Sequence, residues 1–271
     1  MRTLLCMLAS AGPLLAQLAP PNDHGVALGH VHLMVEDPEV QKKLWVGVLG
    51  AQVVHAGTLE MWKLPGIFVI ARKARTAPTG GTVGSTVNHF GFLVKSYGEM
   101  KLRAVAAGLT IVTDNAATKQ LMVDFPDGVR VEFTEDAAMK GEIAMHHIHL
   151  STPDMEAQRA WYAKSFGGRA GERGQFFAVF LPGGEVDFRK VAQAEAPTKG
   201  RSLDHIGFEV KGLEAFCKQL EAAGVKLETP YREMPQLGGL KLAFLVDPEG
   251  TRIELTEGLG GAKPVWKAEG H

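Results

Sequence analysis

A short histidine-containing segment occurs four times at nearly constant spacing along the 271-residue chain. The four copies begin at His30, His89, His147 and His205, so the interval from one histidine to the next hardly changes. A self-similar period of about 58 residues marks an internal repeat. Because each histidine lies in an alternating apolar run, the pattern predicts four equivalent strands that carry a histidine at the same point.

Each predicted strand is followed by a helix that ends at a glycine and then by three short strand signals. Gly50 and Gly167 lie at the same distance from the histidine of their module, whereas Gly108 and Gly224 share a distance that is shorter by one position. The spacing therefore predicts four βαβββ modules of two alternating types, which we call A, B, A′ and B′. Their expected ranges are 27–74, 87–137, 145–191 and 203–257.

The simplest grouping joins each module to its neighbour in the chain. It predicts an α+β protein of two tandem domains, 27–137 and 143–257, with a short seam between them. The Gly/Lys/Pro-containing residues 258–271 are expected to form a mobile tail.

The N-terminal residues 1–16 have the pattern of a removable signal sequence. Arg2 precedes the apolar run TLLCMLASAGPLLA, which is too short to span a bilayer. Small residues suit cleavage near Ala16-Gln17 or after Ala11. We therefore expect an exported protein, periplasmic or secreted, with no membrane association after cleavage.

Charge and cysteine content exclude several classes of function. A net charge of −1 provides no electrostatic basis for binding nucleic acid or an anionic membrane surface. The two cysteines, Cys6 and Cys217, are too few for a disulfide framework or a thiolate metal site.

The last predicted strand of each B-type module carries a glutamate between apolar residues. Glu132 and Glu254 should therefore point to the face opposite their apolar neighbours. A buried, unpaired carboxylate is costly and requires a cation, and two imidazoles with one carboxylate would hold a metal ion with open coordination positions. Grouped by domain, the predicted ligands are His147, His205 and Glu254 in the second domain and His30, His89 and Glu132 in the first.

The A-type modules differ at the matching position of their last strand. At the same distance beyond the histidine lie Ile70 in the first module and Asp187 in the third. Asp187 is thus a candidate fourth ligand in the second domain, or alternatively a solvent-facing acid paired with Arg189. His149, two positions after His147 on the same strand face, is a candidate acid–base group. The corresponding His32 is expected to be a packing residue.

The modules, their histidines, the segment APTKGRSLDHIGFEV and the hairpin DPEGTRIELTE resemble the vicinal oxygen chelate superfamily. That superfamily includes glyoxalase I, bleomycin-resistance proteins and extradiol ring-cleaving dioxygenases. The resemblance spans about 27–257 and implies paired modules curled into open β-barrels with flanking helices. It also implies a divalent metal ion (Fe, Mn, Zn, Ni or Co) and a small substrate with adjacent oxygens. The dioxygenase-type triad falls on His147, His205 and Glu254, and the glyoxalase-type quartet adds Asp187.

Two departures from the ring-cleaving enzymes influence the expected reaction. Phe244 occupies the position of their tyrosine, and no histidine lies between His149 and His205. We therefore expect isomerase- or lyase-type proton transfer, with Glu254, Asp187 or His149 moving the proton. The alternatives are an Fe(II)-dependent ring-cleavage dioxygenase and a non-catalytic protein that binds a small molecule or metal.

Overall fold

The computed structural model describes residues 18–264. The predicted signal sequence, residues 1–16, lies outside this range, so export stays a prediction. Within residues 18–264, no helix combines the length and the apolar character needed to cross a membrane.

All four predicted modules have the βαβββ order. Module 1 contains β1 (Val26–Val35), α1 (Pro38–Lys42), a π-helical continuation (Lys43–Val48), β2 (Gln52–Ala56), β3 (Leu59–Leu64) and β4 (Ile67–Lys73). Module 2 contains β5 (Val87–Val94), α2 (Tyr97–Ala106), β6 (Thr110–Asn115), β7 (Gln120–Phe125), a 3₁₀ turn (Pro126–Gly128) and β8 (Val129–Glu135).

The second half of the chain repeats this order. Module 3 contains β9 (Ile143–Thr152), α3 (Met155–Phe166), β10 (Arg169–Arg173), β11 (Phe176–Leu181) and β12 (Gly184–Lys190). Module 4 contains β13 (Leu203–Val210), α4 (Leu213–Ala222), β14 (Leu227–Met234), a 3₁₀ turn (Pro235–Leu237), β15 (Leu240–Val246) and β16 (Arg252–Glu257). A 3₁₀ turn (Leu259–Gly261) and the short β17 (Lys263–Pro264) follow.

Polar side chains set the starts of three helices. Asp37, Ser96 and Asp154 each accept a hydrogen bond from a backbone N–H in the first turn of the helix that follows. Such caps satisfy donors that the helix itself leaves free. Gly167 ends α3 with a φ of 67°, a left-handed conformation that glycine adopts without steric cost.

The modules pair differently from the neighbouring-module grouping expected from the sequence. One nine-stranded sheet has the order β14-β15-β16-β13-β1-β4-β3-β2-β17 and so joins module 4 to module 1. The other, eight-stranded sheet has the order β10-β11-β12-β9-β5-β8-β7-β6 and joins module 3 to module 2. Strand β1 is antiparallel to β13, and β5 is antiparallel to β9. The ranges 27–137 and 143–257 therefore do not correspond to the two sheets.

The lengths of the connectors agree with this arrangement. The segment between modules 2 and 3, which share a sheet, is residues 136–142, whereas the segments that pass from one sheet to the other are residues 74–86 and 191–202. These two longer connectors contact each other: the Thr79 amide donates to Gly200 O at 3.0 Å, and the Ser202 amide donates to Gly80 O at 3.0 Å. Neighbouring modules also touch through a helix and a hairpin, because Tyr162 of α3 donates to Asp247 at 2.8 Å.

Most of the buried apolar side chains form one core shared by both sheets. Val31, Phe90, Ile148 and Ile206, each next to a strand-one histidine, all belong to it. Because successive side chains of a strand face opposite ways, the histidines point away from this core and into the curled sheets.

A smaller apolar cluster lies inside the nine-stranded sheet and includes Met61, Phe68 and Ile70. Leu259 is fully buried in this cluster, and Lys263–Pro264 pairs with β2. The expectation of a mobile tail from residue 258 onward is therefore wrong for residues 258–264. Residues 265–271 lie outside the described range.

Candidate metal centres

Three polar side chains from two modules meet inside the nine-stranded sheet, at what we call the first site. His30 Nε2 and His205 Nε2 lie 2.9 Å and 3.0 Å from the same oxygen, Oε2 of Glu254. His30 comes from module 1, whereas His205 and Glu254 come from module 4. All three residues are buried, and their candidate ligand atoms lie within 4.8 Å of one another.

A glycine in the B-type module makes room for this arrangement. Gly207 lies opposite His30 in the pairing of β1 with β13. A Cβ at Gly207 would lie 2.0 Å from His30 Cε1, far inside van der Waals contact. The second sheet repeats the arrangement, since Gly91 lies opposite His147 and a Cβ there would lie 2.4 Å from His147 Cε1. The His-x-Gly segment of a B-type module therefore accommodates the imidazole of an A-type module.

A second layer of polar groups orients the first site. His205 Nδ1 contacts Asp204 Oδ1 at 2.7 Å, and the same oxygen accepts from Arg252 at 2.8 Å. A carboxylate on the far nitrogen of an imidazole fixes the ring and its tautomer, as is common around metal-binding histidines. Phe244 packs edge-on against His205 with ring centroids 5.1 Å apart.

The protonation of the first site follows from burial and hydrogen bonding. Burial opposes ionisation of Glu254, but the hydrogen bonds from His205 and His30 outweigh it and hold the pKa of the carboxyl below its ordinary value. Burial likewise opposes charge on His205, yet its contacts with Asp204 and Glu254 raise its pKa. For His30, burial dominates and lowers the pKa.

The donor set of the first site fits a divalent metal ion. Two imidazole nitrogens and one carboxylate oxygen lie within 4.8 Å of one another, and a set of this kind suits ferrous iron and other divalent ions that keep open positions. Ile70, two percent exposed, takes the place of a fourth ligand. His30, His205 and Glu254 would hold the ion.

The first site opens onto a cavity of about 890 Å³. Much of its lining is apolar, with Phe244, Leu240 and Leu242 among the wall residues. His32 also lines the cavity, its ring centroid lies 4.5 Å from that of His205, and its Nε2 has no hydrogen-bond partner within residues 18–264. His32 thus packs against His205, as expected, and also presents an unpartnered ring nitrogen at the cavity. Burial lowers its pKa well below the ordinary value.

The eight-stranded sheet holds a second site, built from modules 2 and 3. His89 Nε2 lies 3.1 Å from Glu132 Oε2 and 3.3 Å from His147 Nε2. His149 belongs to the same cluster, since it shares with His89 and His147 a set of ring nitrogens within 4.8 Å of one another. Glu132 accepts hydrogen bonds from Gln120 at 2.9 Å and from Thr134 at 3.0 Å.

Asp187 lies beside the second site but is bound by an arginine. Its carboxylate accepts from Arg173 Nε at 2.9 Å, and Arg173 also pairs with Glu185. Asp187 is fully buried, so the alternative of a solvent-facing acid paired with Arg189 is wrong. Two carboxylates share one guanidinium here, and burial together with the charge of Asp187 raises the pKa of Glu185 to about 7.

The predicted residues are thus regrouped. His147, His205 and Glu254 do not meet, because His147 belongs to the eight-stranded sheet and the other two belong to the nine-stranded one. In the same way, His30 and His89 are in different sheets. Both expected triads exchange one histidine, because each A-type module pairs with the B-type module that is not its expected partner.

The regrouping also changes the predicted acid–base groups. His149 belongs to the second site and Asp187 lies beside it, and neither is in the lining of the first-site cavity. Burial lowers the pKa of His149 to about 3. Of the predicted catalytic residues, only Glu254 belongs to the first site.

Several residues that support the two sites were not identified from the sequence, although a repeated sequence pattern marks some of them. A polar residue directly precedes each B-type histidine: Asp204 contacts His205, and Asn88 contacts His89 Nδ1 at 2.9 Å. Gly91 and Gly207 follow those histidines at the same short distance in both copies. Arg173 has no comparable signal, because its role depends on where β10 lies.

Comparisons with known proteins agree with this architecture. Residues 144–255 match the family model described as "Glyoxalase/Bleomycin resistance protein/Dioxygenase superfamily". Glyoxalase I from Zea mays superposes with a TM-score of 0.67 at 15% identity, over 86% of this chain and 92% of that chain. A putative dioxygenase from Bacillus subtilis superposes with a TM-score of 0.65 at 15% identity, over 89% of this chain and 86% of that chain.

A search of the curated proteins found no match. At these identities the structural likeness shows a common fold, here a mixed α+β fold of curled sheets. The family match confirms the resemblance to the glyoxalase, bleomycin-resistance and dioxygenase superfamily over residues 144–255, and the structural likeness shows the same fold over most of the chain.

Proposed function

We propose that the first site is the centre of a metal-dependent enzyme that acts on a small substrate with two adjacent oxygens. The observation that carries this proposal is the convergence of His30 Nε2 and His205 Nε2 on Glu254 Oε2, at 2.9 Å and 3.0 Å, in the wall of a cavity of about 890 Å³. A divalent ion held there would act as a Lewis acid on a substrate oxygen.

Proton transfer of the isomerase or lyase type is the reaction we favour. His32 replaces His149 and Asp187 as the candidate proton acceptor, because it lines the cavity and its Nε2 has no hydrogen-bond partner within residues 18–264. The apolar wall formed by Leu240, Leu242 and Phe244 would exclude water from the bound substrate. Phe244 cannot donate a proton, so the cavity wall beside His205 supplies no phenol.

A second candidate function is ring cleavage by an Fe(II)-dependent dioxygenase. The observation in its favour is that the first site offers only three protein ligands, because Ile70 stands where a fourth ligand would be. A set of two histidines and one carboxylate leaves coordination positions for substrate and dioxygen. A binding protein without catalysis is the remaining alternative.

Metal analysis with matched variants tests the metal part of the proposal. Protein purified without chelators should contain a divalent ion, and Glu254→Ala should lose the ion of the first site. Glu132→Ala is the matched control, because it changes the equivalent glutamate of the other sheet and leaves His30, His205 and Glu254 intact. Equal metal content in wild type and Glu254→Ala would refute the proposal.

Two activity assays separate the candidate reactions. Deuterium incorporation from D₂O into a 2-oxo acid or hydroxycarbonyl compound, followed by NMR, should depend on Glu254 and His32 if the enzyme transfers protons. Oxygen consumption with a catechol would instead support the dioxygenase. Metal-dependent binding of both compounds without turnover would support the binding protein and contradict an enzyme.

A further inference from the structure

Two exposed arginines, Arg72 and Arg232, line the first-site cavity from different strands. Arg72 follows Ile70 by two positions on β4, so both side chains lie on the same face of the strand. Ile70 and Arg72 both line the cavity. Two residues along a strand span about 7 Å, which puts Arg72 about that far along the wall from the level of Ile70.

Arg232 reaches the same cavity from module 4. It lies opposite Leu242 in the pairing of β14 with β15, and directly opposite residues of an antiparallel pair present their side chains on one face. Leu242 lines the cavity, as does Arg232 itself. Two exposed arginines from different modules therefore line one cavity, and we call this exposed part of its lining the rim.

Neither arginine has an acidic partner in the part of the chain that the structure describes. No carboxylate of residues 18–264 lies within 4.0 Å of the guanidinium of Arg72 or Arg232, and both residues are exposed. Arg252, which lines the same cavity, is by contrast paired with Asp204 and Glu228. The cavity rim thus carries two positive charges that the fold does not neutralise.

The second sheet shows that the fold does not require free cations at these positions. Arg189 matches Arg72, since both lie at the same distance beyond the strand-one histidine of their module. Its guanidinium donates to Ser151 Oγ at 2.9 Å and to Glu195 Oε1 at 3.1 Å. Asn115 occupies the position that matches Arg232. Arg232 pairs with Leu242, which pairs with Thr256, two positions after Glu254. Asn115 pairs with Gln120, which pairs with Thr134, two positions after Glu132. The free pair is specific to the first site.

The positive rim continues into a neighbouring cavity. This neighbouring cavity has a volume of about 810 Å³ and shares Met34, Arg72 and Asp204 with the first-site cavity. Lys73 and Arg75 also line it. Asp204 is the acid of its lining, and Arg252 and His205 already bind that carboxylate. An anion that enters here therefore meets a net positive surface.

We propose that Arg72 and Arg232 bind the anionic group of the substrate, so that the substrate is an organic acid with two adjacent oxygens at its other end. This inference rests on the proposed function of the first site. A guanidinium binds a carboxylate through paired, charge-assisted hydrogen bonds. The apolar side chains that line the same cavity fit a short hydrocarbon body.

Binding of a matched pair of catechols to the zinc-loaded protein tests this inference. The pair is 3,4-dihydroxybenzoate, which carries an anionic group, and 3,4-dihydroxybenzamide, which has the same shape without the charge. The wild type should prefer the benzoate by about 10- to 100-fold, since charge-assisted hydrogen bonds have that effect on an equilibrium constant. Arg72→Gln and Arg232→Gln should each reduce this preference, whereas affinity for the benzamide should stay unchanged.

Two further variants give each outcome a definite meaning. Arg189→Gln is the matched control in the other sheet and should keep the preference, and Glu254→Ala should abolish binding of both compounds at the first site. Equal affinity of the wild type for both compounds, or a preference that survives both arginine substitutions, would overturn this inference and leave the metal site in place. Absence of any Glu254-dependent binding would overturn the inference and the proposed function together.

Discussion

At the scale of single residues, the chemistry of each site depends on a glycine as much as on the ligands. His30 can approach Glu254 because Gly207 has no side chain, and His147 depends in the same way on Gly91. Neither glycine has a positive φ, so the requirement comes from space and not from backbone conformation. A methyl group at either position would displace an imidazole.

Gly207→Ala should therefore remove metal from the first site and lower the unfolding free energy by about 1–3 kcal/mol, the usual effect of overpacking. Metal content and thermal unfolding check both effects. Gly91→Ala should act on the second site alone. Gly260→Ala, where the added Cβ meets no atom within 4 Å, should change neither quantity. Full metal content and an unchanged Tm in Gly207→Ala would show that His30 does not need this space.

Glu185 provides a pH-dependent contribution to stability. Its pKa is raised from 4.5 to about 7 by burial and by Asp187, so the folded state holds a proton that the unfolded state has released. A raised carboxyl pKa contributes stability that is complete below about pH 4.5 and is lost as pH rises through about 7.

Between about pH 5 and about pH 8, wild type should lose on the order of 2–3 kcal/mol more unfolding free energy than Glu185→Gln. Denaturant titrations at both pH values measure this double difference, in which other titrating groups cancel. Glu221→Gln, on the exposed face of α4, is the control and should behave like wild type. A pH dependence in Glu185→Gln equal to that of wild type would contradict the assignment.

At the scale of elements, local sequence was sufficient to predict the modules. The nearly constant spacing of the histidines, the helix-ending glycines and the three short strand signals predicted four βαβββ units, and the strands and helices follow that order. The error was at the end of the chain. Leu259 is buried with Leu240 and Ile70 in the small apolar cluster, a contact that the Gly-rich composition of the segment did not reveal.

The connectors show why elements alone did not decide the pairing. The matching segments APTGG (77–81) and APTKG (196–200) each precede the histidine-bearing strand of a B-type module, so their similarity favours equivalent links within two domains. They instead lie against each other and lead from one sheet to the other. A short link such as 136–142 was the better sign of two modules that share a sheet.

At the scale of the whole molecule, each site requires both halves of the chain. The first site takes His30 from the N-terminal half and Glu254 from the C-terminal half, and the second takes Glu132 and His147. The antiparallel pairs β1–β13 and β5–β9 hold the halves together through two continuous sheets. Separation of the halves would expose four strand edges and the shared core.

A protease site inserted between Lys140 and Gly141, both exposed, tests this arrangement. After cleavage the two halves should co-elute in size-exclusion chromatography and keep the metal of the first site, because each sheet contains strands from both halves. Two separately eluting, folded halves would instead show that neighbouring modules form independent domains.

The sequence by itself determined the module, the strand face of each histidine and glutamate, and the superfamily resemblance, because these depend on local periodicity and on spacing along the chain. Only the tertiary structure decided which histidine meets which glutamate. Both A-type modules carry an imidazole and both B-type modules carry the glycine that receives it, so local contacts between the two types fit either pairing. The choice was made by contacts between distant segments, the crossed connectors and the core shared by the two sheets.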